Sequence, residues 1–395
     1  MVWRGLGGDP GDELRRTGVG TAARMDLMRW LSGVLGLAVL VVVAGSILRN
    51  LVVPRGLGSA LVRVLWRSLR WLLRRAAAPF DSYEARDRFL AWLAPGVLIG
   101  MLWSWLFGLL AAYGLLMHAV SGISWPDSFR EAGSSLFTLG FASGKRSALN
   151  PLDFIAAASG PVVIALQIAY LPTLYGAFNR REQEVTLLQS RASQPAWGPE
   201  LLARQALVGT VDELRGLYED WERLAADIGE THSNYPVLLS FRSPRPYRGW
   251  VVALIAVMDA AAMHISLTPS AAPVPAARLM LRSGFTALRE IARVVRIPFD
   301  PDPDPGDPLR LTFEEYAEAV EHVKKAGFVV ERSAEESWPQ FRGWRVNYEG
   351  IGYALARAVD AVPALWSGER DFPHTPLAPQ RPVDRRPESP AGGRG

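Results

Sequence analysis

Arg63, Arg67, Arg70 and Arg74 recur at intervals of four, three and four. That spacing stacks four guanidinium groups on one helical face. Leu61, Leu65, Leu69, Leu72 and Leu73 supply apolar surface around them, so the pattern fits a helix lying on an anionic lipid surface. Voltage sensing is the sharper chemistry open to an arginine repeat, but it needs the charges inside an apolar span, and these are not. Metal chemistry has fewer candidates. Glu230, His232, Asp259 and His264 are ligand types without close spacing, so capping or core hydrogen bonding is the preferred reading and no metal is expected. The chain has no cysteine, which removes disulfides, thiol catalysis and thiolate-bound zinc or iron–sulfur sites. No phosphate-cradling glycine loop, nucleophile elbow or zincin motif occurs. An enzyme is not expected, and neither is a cofactor.

These groups must be positioned by elements that the composition describes unevenly. Hydrophobic residues make up 49% of the 395 positions, yet the mean hydropathy is only +0.09, because the apolar residues crowd into the first 180. The net charge of +4 rests on arginine, the only lysines being Lys145, Lys324 and Lys325. Arginines flanking apolar runs favour a membrane over nucleic acid as partner.

Trp30 to Leu48 carries no charge and approaches the ~20 residues a helix needs to cross hydrocarbon. No small-residue cleavage site follows it, so it reads as an anchor rather than a removed signal. Phe89 to Pro126 and Phe154 to Asn179 also lack Asp, Glu, Lys and Arg. The second run fits one tilted helix, about 97–120, behind an interfacial lead-in before Pro95. Three spans are therefore expected. The link between the first two holds Arg49, Arg55, Arg63, Arg67, Arg70, Arg74, Arg75, Arg86 and Arg88, and Arg180 and Arg181 follow the third. By the positive-inside rule the link and the C-terminal half are cytoplasmic. Arg4, Arg15, Arg16, Arg24 and Arg29, before the first span, run against that orientation.

Between the second and third spans, Pro126 opens a short helix to about Phe137, with Ser124 or Trp125 before it and Asp127 at its positive end. It is too short to cross a bilayer. A short helix between two spans, ending in a glycine-containing stretch, has the form of a re-entrant loop. The stretch is Thr138, Leu139, Gly140, Phe141 and Ala142. It resembles the selectivity filter of bacterial potassium channels with a two-helix pore domain. The resemblance covers about 89–178 and implies backbone carbonyls that replace the hydration shell of potassium, an aromatic ring bracing them, and a homotetramer closing the ring. Gly140 suits the left-handed geometry that turns successive carbonyls one way. Two positions depart from the family pattern. Ala142 replaces the second glycine and Ser143 the usual acid. Either the outer loop takes another backbone or Gly144 assumes part of the role. Gly160 and Pro161, mid-way along the third span, are candidates for an inner-helix hinge or for close packing. Pro172 suggests a second break. Gln167 suits a wet cavity or a neighbouring helix, and His118 an interface.

The second half reads as a soluble all-α domain. Helices are expected at about 199–228, 250–267, 275–297, 312–326 and 348–365. Thr312 and Glu315 make a capping box, and 299–308 is a linker. Trp250 to Leu267 is apolar but contains Asp259 and His264, so it reads as a buried core helix rather than a fourth span. The segment from Leu217 to Ala262 resembles the cytoplasmic part of uncharacterised bacterial ion-channel-like membrane proteins, which names no ligand. The organisation expected is a flexible 1–29, a first span 30–48, a basic amphipathic link 49–88, a channel-like pore domain 89–179, a cytoplasmic helical domain 180–371 and a disordered 372–395. A multi-pass, all-α plasma-membrane protein follows. Its expected role is that of a cation-channel subunit with potassium as permeant ion. The alternative is a non-conducting membrane-anchored sensory or interaction protein.

Overall fold

The computed structural model describes residues 10–53, 59–142, 149–367 and 376–380. Among them the chain is helical, with two isolated β-bridges and no sheet. Four helical stretches are long and apolar enough to cross a membrane: Asp26–Val52, Tyr83–Ser121, Asn150–Ala192 and Trp250–Leu267. The expected disordered tail lies mostly outside the described residues.

Two compact units divide the chain. The first is built from α1 (Pro10–Ile47), a π-helical turn (Leu48–Val52), the start of α2 (Ala60–Ala77), most of α4 (Leu93–Ser121), α5 (Trp125–Leu136), and α6 (Asn150–Ala192) up to Leu171. The backbone of α1 begins at Pro10, inside the 1–29 segment that was expected to be flexible. Small residues let α1 and α4 approach closely. A Cβ on Gly108 would lie 2.6 Å from Val43, and one on Gly36 3.0 Å from the Ala112 carbonyl. Arg29 donates to the carbonyls of Ala119 and Val120, each at 3.1 Å. This arginine therefore serves as a cap on the C-terminus of α4. At the end of α1, Ser46, Asn50, Ser59 and Trp105 satisfy one another, with Ser46 and Ser59 hydroxyls 2.8 Å apart and the indole N–H 3.0 Å from Ser46.

The second unit contains the rest of α2, α3 (Tyr83–Leu90), the lower part of α6, and α7 (Gly198–Val208), α8 (Leu214–Asn234), α9 (Trp250–Leu267), α10 (Val274–Val295), α11 (Phe313–Lys325), α12 (Ala334–Arg345) and α13 (Glu349–Ala358). The single helix expected at 199–228 is two. Gly209, at φ +71°, ends α7 with the Thr210 N–H on the Gln205 carbonyl at 2.9 Å, a Schellman closure. Every residue of α9 is buried, packed by α7, α8, α10, α12 and α13, so no face of it is left for lipid. The Thr312–Glu315 capping box is present, and Ser333 with Glu336 makes a second one on α12.

His264, inside α9, has its Nδ1 3.2 Å from the Tyr218 hydroxyl, and burial pushes it down to about 4. The unfolded imidazole takes its proton near 6.5, so between those values the unfolded chain binds more protons. Stability is then lost as pH falls through this window, by roughly 3 kcal/mol from this one group. Asp259, pushed up to about 6 by burial, acts in the opposite sense, so the comparison must be with a His264→Gln protein. Its melting temperature should fall less than that of the parent between pH 7 and 4.5. Parallel curves would show that His264 carries no linkage.

Candidate functional site

In the first unit, α5 begins where the residues dictate. The Ser124 hydroxyl accepts from the Asp127 N–H at 3.3 Å and donates to its carboxylate at 2.6 Å, with Pro126 in the first turn. His118 Nδ1 donates to the Ile123 carbonyl at 2.7 Å, and its ring stacks on Trp125. The helix ends in a Schellman closure, with the Thr138 N–H on the Ser135 carbonyl at 2.9 Å and the Leu139 N–H on that of Ser134 at 2.8 Å. Thr138 is the left-handed residue of this closure, at φ +53°. A β-branched residue there costs about 1–2 kcal/mol relative to ordinary backbone, a strain of the kind that collects at functional loops.

Beyond the closure the chain stays non-helical through Ala142. Gly140 sits at φ +70°, in the left-handed region that glycine adopts without a steric penalty. Its N–H reaches the Ser134 carbonyl at 3.4 Å, and the Ala142 N–H reaches the Ser134 hydroxyl at 3.0 Å. Ser134, 1% exposed, thus gathers the N–H groups of residues 139, 140 and 142. Among the described residues no hydrogen bond reaches the carbonyls of residues 138–142. Three donors of the loop thus turn to Ser134, and among the described residues its acceptors are unused. Leu139 is 62% and Phe141 56% exposed in the single chain. Phe141 does not pack behind the loop as expected. The Arg130 guanidinium lies over its ring at 5.6 Å, and no described side chain of the unit encloses it. Ser143 and Gly144 lie outside the described residues.

Two contacts seat this loop on α6. The Ser135 hydroxyl donates to Asp153 at 2.7 Å, and the Leu136 carbonyl faces Gly160 so closely that any Cβ there would collide with it. A side chain at Gly160 is thus excluded by the close approach of α5. α6 runs unbroken through Pro161 and Pro172, without the break expected at Pro172. Gln167 is 5% exposed, and among the described residues its Oε1 has no partner.

The four arginines of α2 divide. Arg67 is exposed, on the side that also presents Val64, Trp71 and Leu72, while Arg63 is half-buried. In the second unit, Arg70 and Arg74 turn instead to the end of α13. Both donate to the Arg357 carbonyl, at 2.9 and 2.8 Å, and both pair with Asp360. Helix-end carbonyls and a carboxylate are strong local partners for guanidinium groups, so these two are held by protein. Beside them Arg242 binds Asp87, the Val359 and Asp360 carbonyls and the Tyr83 hydroxyl. Glu230, His232, Asp259 and His264 do not converge. Glu230 pairs with Asn234, His232 with Arg181, Asp259 with Arg345 and Tyr348, and His264 with Tyr218. Among the described residues no three His, Asp or Glu side chains gather as a metal site would require.

The chain matches no protein-family model, no curated protein and no solved structure. The reading of its loop rests on the geometry above.

Proposed function

We propose that the chain is one subunit of a membrane-embedded cation channel, resembling potassium channels and regulated by its second unit. The observation that carries the reading is the 138–142 loop, in which the N–H groups of residues 139, 140 and 142 are tied to Ser134 while the carbonyls accept from nothing described. Unused carbonyls at the end of a short helix are what replaces water around a bare monovalent cation. One chain supplies one set of carbonyls, so a closed ring calls for a homotetramer. Its neighbours would cover Phe141 and Leu139. Faces of α6 that expose Phe154, Ile155, Val162 and Ile168 are left for neighbouring copies and lipid. Gln167 would meet water in the pore or a partner helix. α1, α4 and α6 are the spans in this reading, the second unit lies in the cytoplasm, and the plasma membrane is the location. Arg67 with Trp71 and Leu72 would touch the anionic leaflet, and Pro161, next to the packed Gly160, would bend the inner helix.

The Ala142 and Ser143 departures favour a second reading, a non-conducting membrane-anchored sensory or interaction protein that keeps the pore fold. Potassium and sodium flux from proteoliposomes separates the two, measured beside Gly140→Pro. Proline is held near φ −65° and cannot adopt the +70° of Gly140. Potassium-favouring flux that disappears in the variant is the expected result. Equal flux of both ions, also lost in the variant, would leave an unselective pore. Silence across varied pH, calcium and voltage would overturn conduction and leave the second reading.

A further inference from the structure

α9, the helix at the centre of the second unit, starts without a cap. Its N-cap is Gly249, which has no side chain to offer, and among the described residues no side-chain cap is present. The leading N–H groups of a helix have no partner within it and carry the positive end of its dipole. A cavity of about 30 Å³ opens at this end, lined among others by Arg242, Ser243, Arg245, Arg248, Gly249 and Trp250. Such a space admits the centres of about two waters, or the head of one small oxyanion.

The cavity's unused polar atoms share one character. Among the described residues the Ser243 hydroxyl, Arg248 Nε and the Trp250 indole N–H are buried without a partner, and all three can donate. Trp250 is only 4% exposed. Arg248 is fixed by Thr186 and Gln189 through its other nitrogens. Burial, and then the like charge of Arg245, hold its guanidinium below the usual value. The one carboxylate in the lining, Asp87, is taken by Arg242 at 2.6 Å. Unused donors, two neighbouring guanidinium groups and an uncapped helix end thus line one cavity whose carboxylate is already paired. Each favours negative charge, and together they have the form of an anion site.

We propose that this cavity binds a phosphate-type oxyanion, with Arg245 at its mouth and Arg248, Trp250 and the α9 N-terminus behind. The group could come from a free phosphate or from an anionic phospholipid headgroup. Full-length protein in neutral detergent should be melted with added inorganic phosphate and, separately, with phosphatidylglycerol or phosphatidylcholine. Arg245→Gln and Arg248→Gln proteins are compared with the parent. A rise in melting temperature with phosphate, weakened about tenfold in apparent affinity in both variants, identifies a soluble phosphate ligand. A rise with phosphatidylglycerol alone, weakened in the same way, identifies the headgroup. Arg245 is exposed, so Arg245→Gln should melt with the parent when no anion is added, which keeps the comparison free of misfolding. An equal rise in the parent and Arg245→Gln, or no rise with either anion, would overturn the proposal.

Discussion

Replacing Gly160 with alanine is expected to reduce cation flux to the level of empty vesicles and to lower the melting temperature of the full chain. The carbonyl of Leu136 occupies the place a Cβ would take. The obstacle is backbone, which cannot swing aside as the far end of a side chain can, so the last turn of α5 must lift from α6. Overpacking of this kind costs about 1–3 kcal/mol. The displaced turn contains Ser134 and Ser135, which anchor the loop and bond Asp153. Intrinsic propensity acts the other way, since alanine in place of a helical glycine stabilises by roughly 0.5–1 kcal/mol. Gly176, on the same helix, shows that opposite term. A Cβ there meets only Arg180 at 3.7 Å, so Gly176→Ala should melt slightly higher. A Gly160→Ala protein that is as stable as the Gly176→Ala one but altered in opening would assign Gly160 to a hinge and remove its packing role.

The contrast between these glycines also marks how far the sequence could be read. Charge-free runs, the short helix behind Ser124 and the Thr312 box were legible because each signal is local: run length, a proline in the first turn, an S/T-x-x-E spacing. The Ser333 box carries the same spacing, and Pro339 inside α12 reads as a breaker and masks it. Trp250 to Leu267 was legible as core because Asp259 and His264 suit a protein interior better than hydrocarbon. The positive φ of Thr138 was not legible, since β-branched residues avoid that region and only closure onto Ser134 and Ser135 demands it. Ser134 gave no sign of its role, because its three N–H partners reach it only once the loop has folded back. The grip of Arg70 and Arg74 on Asp360 joins positions 290 and 286 apart in sequence, beyond any periodic pattern. Four arginines on one face looked equivalent, and their division depends on where α13 ends.

Arg345→Met is expected to cost the second unit about 3–5 kcal/mol, the usual penalty when one member of a buried ion pair is removed. Arg345 and Asp259 are both 0% exposed. The guanidinium also binds Glu349 at 2.9 Å, the Tyr353 hydroxyl at 3.0 Å and the Trp366 carbonyl at 2.5 Å. Without it, Asp259 keeps only the Tyr348 hydroxyl, at 2.7 Å, and its second oxygen already has no partner. Burial raises the Asp259 carboxyl even with arginine beside it, so losing the positive charge must raise it further. The folded variant then binds a proton that its unfolded chain takes up only near pH 3.8. Stability relative to the parent should therefore recover as pH falls from 7.5 toward 5. The double variant Asp259→Leu with Arg345→Met should regain most of the loss at pH 7.5, because apolar replacements remove both buried charges. Recovery should stop short of complete, since Glu349 loses its guanidinium and keeps only the Arg310 and Leu311 N–H groups. Thermal unfolding of the parent, both single variants and the double variant at pH 7.5 and 5 measures the cycle. If the double variant loses the sum of the single losses and Arg345→Met ignores pH, the pair does not act as a unit and the core is held by packing around α9 alone.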